Sequence, residues 1–181
     1  MATNDFDIPK LITMCLLDMR SELVSEFDLN FVREGFFTES WKRRKYKSEE
    51  SRGVLTETGN LRKAIRSEIE GNKIIFLNEL PYAKIHNEGG KIRVTKRMKG
   101  HFWREYKQAT QNLSRKQLES GLTAEAAFYK AMALKRVGSY ITMPRRQFIG
   151  MAPEVEAIIR QTVESNLETY FNDKSFKVKV K

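Results

Sequence analysis

From Ile8 to Phe27 the apolar residues Ile8, Leu11, Ile12, Cys15, Leu16, Met19, Leu23 and Phe27 recur at steps of three and four, the spacing of one face of an α-helix. Asp7 and Pro9 suit a helix start and Asp28-Leu-Asn30 an exit, so the pattern predicts an N-terminal helix within 1–30. The period then lapses. Residues 31–54 mix Phe31, Phe36, Phe37, Trp41 and Tyr46 with the basic run Lys42, Arg43, Arg44, Lys45 and Lys47, and read as a long loop, a feature that in a compact domain is often functional. Over 55–99 helical spacing returns at Leu61, Ala64, Ile65, Glu68 and Ile69, with Thr58 as cap and Gly71 as left-handed stop, which predicts a short second helix. Lys73–Leu77 and Lys91–Thr95 read as strands, and Pro81–Gly90 as a short helical turn presenting Tyr82, Ile85 and His86 on one face before a glycine pair.

Residues 100–138 are rich in Gln, Lys, Glu and Ala, and their aromatic and aliphatic positions predict two helices broken near Ser120-Gly121. Ser139–Met143 returns to a strand pattern ended by Pro144, so the helical segment reads as an insertion between two strands of one sheet. Within 139–172, Pro153 opens a long helix with apolar face Val155, Ile158, Ile159, Thr162/Val163, Leu167 and Tyr170. In 173–181, Phe176, Val178 and Val180 alternate with Lys177, Lys179 and Lys181, the pattern of a charged edge strand or of an arm that adds to another subunit's sheet. There is no fixed-period repeat and no Ser/Gly- or Pro-rich linker. The expectation is a single α+β domain over 1–181, with long helices packed on a small antiparallel or mixed sheet.

Composition narrows the function classes. The 181 residues are 40% hydrophobic and 31% charged, enough for one buried core. Lys plus Arg number 33 against 23 for Asp plus Glu, a formal charge of +10, which favours an anionic partner without specifying the fold. One cysteine, Cys15 on the apolar stripe, and two histidines exclude an internal disulfide framework and the familiar Cys/His zinc sites. No apolar run approaches the roughly 20 residues needed to span a bilayer, and the N-terminus lacks the basic start of a secretion signal; no membrane association is expected.

The search for reactive groups returns little. Gly-x-Ser-x-Gly, the phosphate-cradling glycine loops, His-Glu-x-x-His and Asp-x-Asp patterns are absent. His86, beside Asn87 and Glu88, has the elements of a general base, but within its turn a hydrogen-bonding role is the stronger reading. No catalytic residue, metal or cofactor is expected. Trp41, Lys42, Arg43, Arg44, Lys45 and Lys47 remain a candidate contact for DNA or a partner, because cations meet phosphates while aromatic rings stack on bases.

Three segments in order carry a resemblance: Leu55-x-x-x-Gly59-x-Leu61-x-x-x-Ile65; Pro81-Tyr82-Ala83-x-Ile85-His86-Asn87-x-Gly89-Gly90; and Met143-Pro144-Arg145-Arg146-x-Phe148-Ile149-Gly150 ahead of a helix. Together, over about Leu55 to Leu167, they resemble the phage virion morphogenesis family, the Mu-like prophage tail-completion proteins related to neck and head–tail joining proteins. The sequence departs from the family pattern at Arg145-Arg146, where a small residue commonly follows the proline, and in the length of its helical insertion. The resemblance implies a non-enzymatic virion protein, assembled in the bacterial host cytoplasm and built into the head–tail junction as a homo-oligomeric ring. It further implies neighbours in the tail tube, its terminator or the head connector, with genomic DNA passing through the lumen. Gly59, Gly89, Gly90, Pro144 and Gly150 are then expected to shape turns, Tyr82, His86 and Phe148 to lock those turns into the core, and Leu61, Ala83, Asn87 and Arg145 to complete the same motifs. A nucleic-acid-binding module using the basic aromatic loop is the alternative reading.

Overall fold

The computed structural model describes residues 7–43 and 53–173. Helix α1 spans Ile8–Arg33 and is capped by the Asp7 carboxylate, which accepts the Lys10 N–H at 2.9 Å. It runs six residues beyond the expected end of its apolar stripe at Phe27, because Asn30 and Phe31 continue the buried face and Glu34 supplies a left-handed cap (φ 51°) whose N–H donates to the Asn30 carbonyl. The segment expected to be loop therefore begins as helix and then as a minimal antiparallel hairpin, β1 (Gly35–Phe36) with β2 (Glu39–Ser40).

A larger correction concerns residues 64–70. Helix α2 is only Asn60–Lys63; Arg66–Glu70 is a strand, β3, paired antiparallel with β4 (Lys73–Leu77) from Arg66↔Leu77 to Glu70↔Lys73. Gly71 (φ 57°) is the turn of this hairpin rather than a helix stop. The strand wins because it turns Ile69 inward to pair with Ile74 against α1 while Arg66, Glu68 and Glu70 stay exposed. Helix α3 (Ala83–Glu88) leads into β5 (Gly90–Arg93), which pairs antiparallel with β6 (Tyr140–Met143).

Between β5 and β6 lies the expected helical excursion, made of three helices rather than two: α4 (Lys96–Thr110), α5 (Arg115–Ser120) and α6 (Ala124–Leu134). The break at Gly121 is present, and a further one at 111–114 ends in a capping box between Ser114 and Gln117. Helix α4 packs along α6, with the Phe102 ring edge-on to Phe128 at 6.3 Å. The β5–β6 ladder extends one step past its strands, Val94 N–H donating to the Ser139 carbonyl at 2.8 Å and Gly138 N–H to the Val94 carbonyl at 2.9 Å.

Helix α7 (Pro153–Asp173) lies antiparallel along α1. Asp7 N–H meets the Tyr170 hydroxyl at 2.8 Å, Asn166 donates to Asp18 at 2.9 Å, and Thr162 donates to Glu22 at 3.0 Å. The core follows α1 from end to end. Leu11, Cys15, Leu16 and Met19 pack with Ile69, Ile74 and the α7 residues Ile159, Val163 and Leu167. Leu23 and Phe27 pack with Phe36, Phe76 and Val155. At the C-terminal end Phe31 joins Trp41, Val54, Leu61, Ala83 and Phe148. Phe27, 1% exposed, contributes about 2–3 kcal/mol by burial alone, and the Phe76 ring meets it edge-on at 4.9 Å. The architecture is α+β, with three separate two-stranded antiparallel ladders among the described residues in place of one small sheet. The alternating tail Ser175–Lys181 lies outside the described residues.

Candidate functional site

The two glycine- and proline-marked turns, far apart in sequence, are clasped together. The Arg146 N–H donates to the His86 carbonyl at 2.8 Å, and the Asn87 side-chain oxygen accepts the Phe148 and Ile149 N–H groups at 2.9 and 3.2 Å. One carboxamide thus satisfies two backbone donors of an irregular segment that has no ladder to do so. Gly89 makes the approach sterically feasible: it sits at φ 73°, ψ −172°, and a Cβ there would lie 2.7 Å from the Arg145 nitrogen and 3.0 Å from its Cα.

The opposite side of the 145–149 segment is held from α1 and the chain that follows it. Asn30, 0% exposed, donates to the Phe148 carbonyl at 3.3 Å while its side-chain oxygen accepts the Phe37 N–H at 2.9 Å. The Trp41 indole donates to the Gln147 carbonyl at 2.6 Å, and Arg146 Nε to the Lys42 carbonyl at 2.9 Å. The Phe148 ring is 0% exposed between Phe31 and its neighbours, its centroid 5.4 Å from that of Phe31. Glu34 extends the brace, its carbonyl accepting the Trp41 N–H and its carboxylate the Val54 N–H, each at 2.7 Å.

The remaining motif residues take their places around this node. Gly59 (φ 69°) opens α2, whose Leu61 is buried in the Phe148 cluster with Ala83. Gly90 (φ 140°) and Gly150 (φ 131°) hold backbone conformations that other residues rarely adopt, and Pro144 directly follows β6. The exposed Arg145 hydrogen-bonds Gln147. Tyr82 departs from the expectation that it is locked into the core: it is 40% exposed, standing edge-on to the half-buried His86 ring at 6.1 Å.

The basic aromatic loop requires a firmer correction. Trp41, offered as a ring for stacking on bases, is 6% exposed and belongs to the core; its indole N–H is spent on Gln147 and its ring meets Phe31 edge-to-face at 5.5 Å. Lys42 and Arg43 are exposed. Arg44, Lys45 and Lys47 lie outside the described residues. Sequence reasoning missed Asn30 and Arg146 as braces of the node. Asn30 carried a readable signal, a polar residue three positions after Phe27 on a stripe that is otherwise apolar.

Two ionic features flank the node. Arg62 of α2 grips Asp28 of α1 with two nitrogens, and this hydrogen bonding, with the Arg62 charge, outweighs partial burial to hold the Asp28 carboxyl below its usual range. Glu154, in the first turn of α7, is likewise lowered, by its own backbone N–H and then by the Thr38 hydroxyl that donates to it at 2.9 Å. Among the described residues no group of three or more His, Cys, Asp or Glu is placed to hold a metal ion, and no helix is long and apolar enough to cross a membrane. A broad open concavity of about 500 Å³ is lined by α7 residues such as Pro153, Glu156 and Arg160, and shares no residue with the two clasped turns. The geometry of the node is suited to holding backbone against backbone.

Comparison with known proteins bears on the same residues. The model of the phage virion morphogenesis family matches residues 35–168, a span that takes in both turns, Trp41 and the whole helical excursion, and starts beyond α1. No curated protein and no solved structure matches the chain.

Proposed function

The chain belongs to the phage virion morphogenesis family, and from that premise we propose that this virion-assembly protein acts at the head–tail junction as a tail-completion subunit. Copies associate into a ring in the host cytoplasm, and the ring docks on the tail tube, its terminator or the head connector. The work is done by complementary surfaces, without an active site or cofactor. The family match across both turns is the observation that carries this reading. The hydrogen-bonded, buried node supports it, since a docking subunit needs a defined frame, and so do the exposed apolar side chains. Leu17, Val24 and Val32 on α1, together with Leu134, Tyr140 and Met151, are between 39% and 63% exposed, and exposed apolar surface of this kind marks contact sites where it is contiguous. Head-to-tail contacts between such surfaces close into rings when the rotation allows.

The test is deletion of the gene in its phage, with electron microscopy of the lysate and light scattering on the purified protein. The expected result is filled heads and separate tails that fail to join, and a multimeric particle mass for the protein, alone or on its docking partner. Normal virions from the deletion, or a block at head or tail-tube formation instead of joining, would overturn the proposal.

A further inference from the structure

A large surplus of positive charge lies away from the loop at Trp41. Between Lys91 and Arg136 the sequence holds 12 Lys and Arg against 3 Asp and Glu, a surplus of nine out of the chain's +10. This is the stretch formed by β5 and the helices α4, α5 and α6. Lys91, Arg93, Lys96, Arg97, Arg104, Lys107, Lys116, Lys130 and Arg136 are all exposed. The ion pairs formed within it among the described residues, from His101 and Arg104, both fall on the single carboxylate of Glu105.

We propose that the exposed face of α4 is a DNA-binding surface that contacts the phosphate backbone of a duplex. Lys96, Lys99, Trp103 and Lys107 follow one another at steps of three and four, so they form a row along one side of the helix. The adjoining side, through Phe102 and Tyr106, faces Phe128 and Lys130 of α6 and leaves Lys99 half-buried at the boundary. The row extends about 16 Å along the helix axis, a length over which duplex DNA presents about ten phosphate charges. Trp103 stands in the row with 37% of its surface exposed, available to the backbone or to a base edge as buried Trp41 is not. Gly100 lies on the same side with open space around it. A mid-helix glycine costs about 0.5–1 kcal/mol relative to alanine, and nothing packed against Gly100 among the described residues offsets that cost.

The charge is also placed against local stability. The first turn of α4 carries Lys96, Arg97 and Lys99 and no acidic residue, although the helix dipole favours anions there. Cations held in an unfavourable position, mutually repelling and scarcely neutralised, point to an anionic partner. Lysines are depleted from protein–protein interfaces, whereas protein–DNA interfaces are strongly positive, so DNA is favoured over an acidic protein. The inference deepens the assembly reading, since a subunit at the head–tail junction lies on the path of the genome, and its test does not depend on ring formation or joining.

The experiment is fluorescence anisotropy of the full chain with a labelled duplex of mixed sequence, about 30 base pairs long, titrated between about 50 and 200 mM NaCl. Wild type should bind with steep salt dependence. The variant Lys96→Gln/Lys99→Gln/Lys107→Gln should lose at least about tenfold in affinity and have a log–log salt slope shallower by about 2–3, since each phosphate left unneutralised takes about 0.9 from the slope. Lys42→Gln/Arg43→Gln should bind as wild type, and urea unfolding should show the triple variant at least as stable as wild type. Absence of DNA binding by wild type, an unchanged slope in the triple variant, or loss confined to the Lys42/Arg43 variant would overturn the proposal. Tighter binding of polyglutamate than of the duplex would overturn it in favour of an acidic protein partner. Defective joining together with intact DNA binding in the triple variant would refute this surface while leaving the assembly reading standing.

Discussion

Replacing Gly89 by alanine tests whether the node is held as described. Two costs add at this position. The backbone at φ 73°, ψ −172° lies in a region open essentially to glycine alone, where another residue is strained by about 1–3 kcal/mol. The new Cβ would also stand 2.7 Å from the Arg145 nitrogen, a contact with backbone that no rotamer relieves. Retreat of the 145–149 segment would stretch the Arg146-to-His86 bond of 2.8 Å and the two bonds to Asn87, each worth about 1 kcal/mol net. The sum is about 4–6 kcal/mol if all three bonds are lost, a large part of the stability of an ordinary domain. Gly71→Ala is the control. It too sits at positive φ, 57°, but a Cβ there meets nothing within 4 Å, so only conformational strain of about 1–2 kcal/mol applies. Urea unfolding followed by circular dichroism gives both values. If Gly89→Ala costs no more than Gly71→Ala, the close approach of the two turns is not what fixes Gly89, and the account of the node fails.

Two further predictions concern the same region. Asn87→Ala leaves the Phe148 and Ile149 N–H groups without their acceptor and should cost about 2–4 kcal/mol in urea unfolding. Asn87→Asp keeps an acceptor oxygen and should cost less, and equal losses would argue against the hydrogen-bond account. For pH, both Asp28 and Glu154 are lowered in the folded state, so the unfolded chain binds more protons as acid is added. Their stabilisation is therefore complete above the ordinary carboxylate range near pH 4 and is lost as pH falls through the depressed folded values. Urea midpoints measured from neutral pH downward should fall over that window, and fall less steeply in Arg62→Gln; a midpoint that rises on acidification would contradict the assignment.

Periodicity made the long elements readable. The α1 and α7 stripes, the strands around Ile92 and Ile141, and the excursion between them are where the spacing of apolar residues places them. Residues 64–70 misled because Ile65 and Ile69 satisfy a helical step of four and Ser67 and Ile69 a strand step of two. Only the partner strand Lys73–Leu77 and its two-residue turn decide between them. The end of α1 was obscured because Asn30 looks like an exit, while its burial depends on Phe148, 118 residues away. The resemblance of separate turns to one family was visible in the chain, yet their mutual contact was not. Asn87 reaches Phe148 across 61 residues, and no local pattern encodes that meeting. Trp41 among basic residues invited a surface reading because composition records neighbours along the chain rather than neighbours in space.

The β5–β6 ladder has a consequence for how this fold can vary. By pairing Arg93 with Tyr140 it closes the excursion at its base, so the node on one side of the ladder is insulated from the length and make-up of what lies on the other. Closing a longer loop costs little more, about 0.6 kcal/mol for each doubling. The segment between Arg93 and Tyr140 is in this sense an interchangeable cassette: it can be shortened, enlarged or recharged to suit a different neighbour while the frame that holds it stays the same.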